Sequence, residues 1–217
     1  MPDPSVVDRY FSEKRFAALW QRQLIDDTID DSHQIFFALF DAYNEPHRHY
    51  HTTRHIAYCL QKLDTVKGLT DHPDAIELAI WFHDIIYRPG QPDNEEKSAE
   101  TFLQFATLVL QSETRNLVNR LIMATLHATE KIEHPDSRLM IDIDLSGFAL
   151  PWKKFLRDSQ NLRAEMPDIT EEEFLRRQTC FHQRLLERPG FFLTEYFSQK
   201  YQQQARDNIA QLKASGL

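Results

Sequence analysis

His83 and Asp84 stand side by side in an otherwise apolar run, with Ala79-Ile80-Trp81-Phe82 before them and Ile85-Ile86-Tyr87 after. A run of that kind is buried in any compact fold. An unpartnered carboxylate there costs several kcal/mol, so the chain must bring a charge partner, hydrogen-bond donors or a metal ion to this point. A buried ion pair or a capped helix end meets the requirement as well as a pair of adjacent metal ligands does. The remainder of the sequence has to decide between them.

Apolar residues recur at helical spacing almost throughout, and the 217 residues include only five glycines. The expectation is an all-α, single-domain helical bundle spanning 1–217, with about nine to ten helices. Its core holds the candidate site at 47–150, and C-terminal helices at 151–217 pack on it. Residues 5–24 read as one amphipathic helix, and Asn94 as the cap of a helix whose first turn carries Glu95 and Glu96. Ser112 starts a helix with Leu117, Leu121, Thr125 and Ala128 along its buried side. Thr170 to Glu173 has the form of a capping box.

Charge and cysteine usage narrow the function classes. The net charge is −8 with no basic block, which argues against a stable nucleic-acid partner, because phosphate-backbone affinity needs clustered Lys and Arg. Cys59 and Cys180 fit no metal or redox spacing, and each falls on an apolar helical stripe, so both are expected as reduced core thiols. No apolar run approaches membrane-spanning length, and residues 1–8 lack a targeting pattern. A cytoplasmic protein without a membrane partner is expected.

Candidate ligands flank the dyad on both sides. Four of the ten histidines lie between His47 and His55, and His55 continues the apolar face marked by Cys59 and Leu63, with His51 a further turn back. Downstream, His127 stands near a helix end, where a dipole partner is the plainer reading. Asp142 and Asp144 sit in the apolar run Leu139–Phe148; two residues apart on a helix, one faces the core and the other does not. Glu95 can turn inward, whereas Glu96 reads as a solvated acid.

A set of two histidines and two aspartates, His55, His83, Asp84 and one of Asp142 or Asp144, suits a divalent ion: Mn, Fe, Co, Ni, Mg or Zn. A structural zinc, which favours thiolates, is the poorest match. Four protein ligands on a six-coordinate ion leave positions for water and substrate. Such an ion makes hydroxide available near neutral pH and neutralises charge on a phosphoryl oxygen.

The order His55, His83-Asp84, Asp144 resembles the H…HD…D order of the HD-domain superfamily of metal-dependent phosphohydrolases. Tyr50-His51-Thr52-Thr53-Arg54-His55 looks like the Tyr-His-x-x-x-His of the cyclic-nucleotide phosphodiesterases in that superfamily, and Asp144-Leu145-Ser146 is similar to the stretch around their last ligand. Arg48–His51, Trp81–Asp84, Asp93–Ala99, Ala124–His127, Asp142–Ser146 and Ala205–Asn208 match an uncharacterised bacterial branch over nearly the full length. Four residues beyond the first histidine of the dyad, the phosphodiesterases carry another histidine where this chain has Tyr87, so cyclic-nucleotide specificity is not carried over.

The resemblance implies hydrolysis of a phosphoester of a small molecule, with a nucleotide first among the candidates. It assigns His55, His83, Asp84 and Asp144 to the metal, with Asp144 preferred over Asp142, and His127 to a possible second ion. His51 would be the general acid and Glu95 would orient water, while Arg54 or Lys97 would hold a phosphate oxygen. Two other classes fit the ligand set. One is a di-iron oxygenase of the same fold, which would recruit His127 and His134. The other is a metal-retaining binding module without turnover. Oligomeric state is left open.

Overall fold

The computed structural model describes residues 4–26, 28–127 and 132–215; Ala128 and the stretch 129–131 lie outside them. Eleven α-helices are present among the described residues: α1 (Pro4–Tyr10), α2 (Glu13–Gln21), α3 (Ser32–Tyr43), α4 (Thr53–Val66), α5 (Pro73–Phe82), α6 (Asn94–Ala106), α7 (Ser112–Ala124), α8 (Pro135–Leu145), α9 (Trp152–Ala164), α10 (Glu171–Glu187) and α11 (Glu195–Ser215). Their only extended pairing is an isolated antiparallel bridge between Leu24 and Leu110. The all-α expectation holds. The helix expected over 5–24 is broken: Ser12 adopts extended backbone before α2, and Phe11 between the two pieces is buried.

Helix α5 is the central element, because eight of its ten residues are buried. Aromatic rings surround its last turn: Phe11 and Phe16 lie 4.8 and 5.3 Å from Trp81, and Phe102 lies 5.2 Å from Phe82. The Tyr43 hydroxyl donates to the Trp81 carbonyl at 2.9 Å. The end of α5 is therefore fixed in position before any polar residue is considered.

Beyond Phe82 the chain turns, and its carbonyls need donors. Arg48 provides them. Its guanidinium, with the side chain fully buried, donates to the carbonyls of Asp84 at 2.6 Å and Ile85 at 2.9 Å, and its Nε to Glu45 at 2.8 Å. One buried cation thus ties the segment after α5 to the His-rich loop before α4.

Helix α8 resolves the Asp142/Asp144 alternative by its own geometry. Residues two apart on a helix point about 200° apart. Asp142 accepts from the backbone N–H groups of Leu193 and Thr194 at 2.8 and 2.7 Å and from the Thr194 hydroxyl at 2.6 Å. It is an anchor for the start of α11, where a carboxylate is favourably placed. Asp144 points the other way. Farther along α11, Asn208 donates to the carbonyls of Phe148 and Leu150 at 2.7 and 2.8 Å, pinning the turn that follows α8.

Three further expectations are corrected. Cys59 is buried but Cys180 is exposed, because the apolar stripe of α10 passes through Phe174, His182 and Leu185 instead. Asn94 lies inside the first turn of α6 and clamps the preceding loop, bonding the N–H and carbonyl of Arg88 at 3.0 Å each. Thr170 does cap α10, accepting from Glu173 at 3.2 Å, but the Glu173 carboxylate turns to Arg176 and Arg177 rather than back to the cap.

Candidate metal centre

Three helix ends converge on one point. His55 lies in the first turn of α4, His83 closes α5, and Asp144 sits in the last turn of α8. One ligand atom from each of these residues lies within 4.8 Å of the other two. The Nε2 atoms of His55 and His83 are 3.3 Å apart. Asp144 Oδ1 is 3.1 Å from His55 Nε2 and 3.6 Å from His83 Nε2. Asp84 Oδ2 is 3.1 Å from His83 Nε2 and 3.7 Å from His55 Nε2.

These separations fit a shared ion. Ligands about 2.1 Å from one metal lie about 3.0 Å apart at right angles and about 3.4 Å apart at tetrahedral angles. The donor chemistry fits as well. His83 Nδ1 donates to the Ile80 carbonyl at 2.9 Å, so its proton is on Nδ1 and Nε2 presents a lone pair to the centre. His55 and His83 are buried, with 3% and 1% exposure. Neutral imidazole and carboxylate at that depth can hold a metal ion.

The electrostatics describe the same cluster without an ion. Burial opposes the imidazolium at His83, yet Asp84 and Asp144 outweigh it and raise its pKa well above the usual value. Burial likewise favours neutral carboxyls, yet the facing imidazoles hold Asp84 and Asp144 below the usual carboxylate range. Protons stand where a cation's charge is wanted. Cys59 lies 3.8 Å from His55 Nε2; burial pushes its thiol well up, with Asp144 and Asp84 adding to the effect, so it is a neutral neighbour.

No family model, curated protein or solved structure matches this chain.

The other residues singled out from sequence fall into two groups. His127, just beyond α7, donates from Nε2 to Asp144 Oδ2 at 2.9 Å, and it is the one non-glycine described residue with a left-handed backbone, at φ 51°. Glu95 is half-buried at the start of α6; burial raises its pKa, and the charges of Asp84 and Asp144 push in the same direction. Glu96 is exposed. Arg54 is exposed, and Lys97 pairs with Glu100 at 2.8 Å. His134 caps α8 by accepting from Asp136 at 3.3 Å, which leaves it no part in the cluster.

His51 is not helical, since α4 begins only at Thr53 with Thr52 as its cap. It reaches the site from a loop instead. Its ring stacks on Tyr87, centroids 4.0 Å apart, and lies 6.2 Å from the His55 ring. Its Nδ1 donates to Glu165 Oε2 at 2.7 Å, and Glu165 Oε1 accepts from the backbone N–H groups of His49, Tyr50 and His51 at 2.7, 2.7 and 2.9 Å. Burial lowers the His51 pKa, but the Glu165 charge and hydrogen bond, helped by Asp84, leave it raised.

Glu165 and Arg48 were missed by sequence reasoning. Glu165 stands just past α9, among solvated polar residues, and nothing in the local pattern marks it as fully buried. Arg48 lies in the His-rich segment, but its clamp on the Asp84 and Ile85 carbonyls depends on a contact across the fold.

Proposed function

We propose that this chain is a metal-dependent phosphohydrolase acting on a phosphoester of a small molecule, with a nucleotide as the leading substrate class. One observation carries the reading: His55 Nε2, His83 Nε2 and Asp144 Oδ1 converge from three helices at the spacing of ligands around one ion. Asp84 adjoins them, in the H…HD…D order that resembles the HD-domain superfamily. His55, His83, Asp84 and Asp144 would hold the ion, and His127 and Glu95 would serve a second ion or its water.

A bound divalent ion lowers the pKa of water and neutralises charge on the phosphoryl oxygens. The chain supplies the rest. His51, with Nδ1 committed to Glu165, has Nε2 free to give a proton to the leaving oxygen as its bond to phosphorus breaks. The water oxygen forms the new bond to phosphorus, and the half-buried Glu95 would orient that water and take up its proton. Glu165 orients His51 and stabilises its imidazolium. Tyr87 stacks on one face of the His51 ring and helps hold it in that direction.

The test is hydrolysis of bis-p-nitrophenyl phosphate by Mn-loaded protein. Turnover is expected with Mn and is expected to stop with chelator. His83→Ala and Asp84→Ala should lose both metal and turnover. If both variants bind Mn as tightly as wild type, the reading is wrong.

A further inference from the structure

Arg188, the residue after α10, leaves part of its guanidinium unused. Nη2 donates to the His127 carbonyl at 2.8 Å, whereas Nη1 is buried without a hydrogen-bond partner. A buried charged donor without an acceptor is costly. Asp142, the acid in its field, has both carboxylate oxygens committed to Leu193 and Thr194. The Asp142 charge favours the cation at a distance, but its oxygens leave Arg188 Nη1 without an acceptor.

His127 shows a matching oddity. Nε2 is on Asp144, Nδ1 is buried and without a partner, and the backbone is left-handed. Two residues in contact, at the edge of the metal centre, thus carry unpaired buried nitrogens, and one of them is also strained. A purely structural tie to the His127 carbonyl needs one N–H donor. Arginine offers five in a rigid planar fork.

We propose that Arg188 binds a phosphate oxygen of the substrate at the His127 edge of the metal centre. The fork matches phosphate geometry and stays charged when buried. The setting favours such a group: Asp84 and Asp144 lie at the centre, the chain carries a net charge of −8, and a phosphate dianion entering there needs local positive potential. The inference rests on the phosphohydrolase reading.

The experiment measures inorganic phosphate binding to Mn-loaded protein by calorimetry, alongside Mn content and melting temperature. Arg188→Gln keeps one N–H donor for the His127 carbonyl. It should weaken phosphate binding tenfold or more at unchanged Mn content, and Arg188→Lys should recover part of the loss. Unchanged phosphate affinity in Arg188→Gln overturns the proposal. So does a loss that only accompanies loss of Mn, since that marks a structural tie. If Arg188→Gln does not fold, the guanidinium NMR signal of wild type, assigned by its absence in Arg188→Lys, decides: a shift on adding phosphate supports the role and no shift overturns it. Wild-type protein that takes up no Mn overturns the metal reading itself, whereas wild type with Mn and an indifferent Arg188 overturns only this inference.

Discussion

Glu165 Oε2 lies 2.7 Å from His51 Nδ1, across 114 residues of sequence. The same carboxylate takes three successive backbone N–H groups of the loop, so one buried acid sets both the loop's path and the direction of its imidazole. Glu165→Gln keeps an acceptor oxygen but removes the charge. It should lower kcat on bis-p-nitrophenyl phosphate by about 10- to 100-fold, as expected for a partner that orients a functional group rather than touching the substrate, at unchanged Mn content. Glu165→Ala leaves the three N–H groups without an acceptor and should also destabilise the fold by about 3 kcal/mol in urea unfolding. Full kcat in Glu165→Gln would show that His51 acts without its carboxylate.

Asp142 and Asp144 separate a structural from a metal-holding role two residues apart. Asp144→Ala should cut Mn affinity by at least about 100-fold, as expected when a ligand is removed rather than an outer partner. Asp142→Ala should leave Mn affinity within a few-fold and lower stability by about 2 kcal/mol, because the start of α11 loses its acceptor. Metal content and urea unfolding on both variants check the pair, and the opposite pattern would reverse the assignment.

Metal should stabilise the protein by mass action. At Mn concentrations about 100 times Kd the gain is about 2.7 kcal/mol, which for a chain of this length is a rise of about 5–10 °C in melting temperature. A thermal scan with Mn or with chelator measures it. Asp84→Ala should show no such rise.

His182 sets an acid limb of stability. Burial lowers its pKa to about 4 from an unfolded value of 6.5, with Lys213 adding to the effect. Above pH 6.5 the ring is neutral folded and unfolded alike. Between pH 6.5 and about 4 only the unfolded chain takes up the proton, so stability falls as pH falls. The loss approaches about 3 kcal/mol at 1.36 kcal/mol per unit. His182→Phe, which keeps the contact with Phe148, should flatten urea stability over that window; an unchanged slope would place the titration elsewhere.

The two cysteines offer a direct check on packing. Native protein should react with a thiol reagent at Cys180 alone, and denatured protein at both residues. Protection of both thiols in the native state would contradict the exposed face of α10.

The all-helical fold and the ordered pair of histidines and aspartates were legible in sequence alone, because both are written locally. Helices announce themselves by apolar spacing, and His83-Asp84 announces itself by polarity inside an apolar run. The absence of strands among the described residues followed from the same periodicity. What required tertiary structure was every decision that depends on partners far apart in the chain. Asp142 and Asp144 have nearly identical neighbours, and only the start of α11 on one side and His55 on the other tell them apart. His51 kept its place beside His55 without the helix expected to put it there, because Glu165, Arg48 and Tyr87 hold its loop. Cys180 looked buried by stripe alone, yet it is exposed. Burial and hydrogen-bond partnership are properties of the packed molecule, and a sequence pattern reports them only where one helix turn contains both partners.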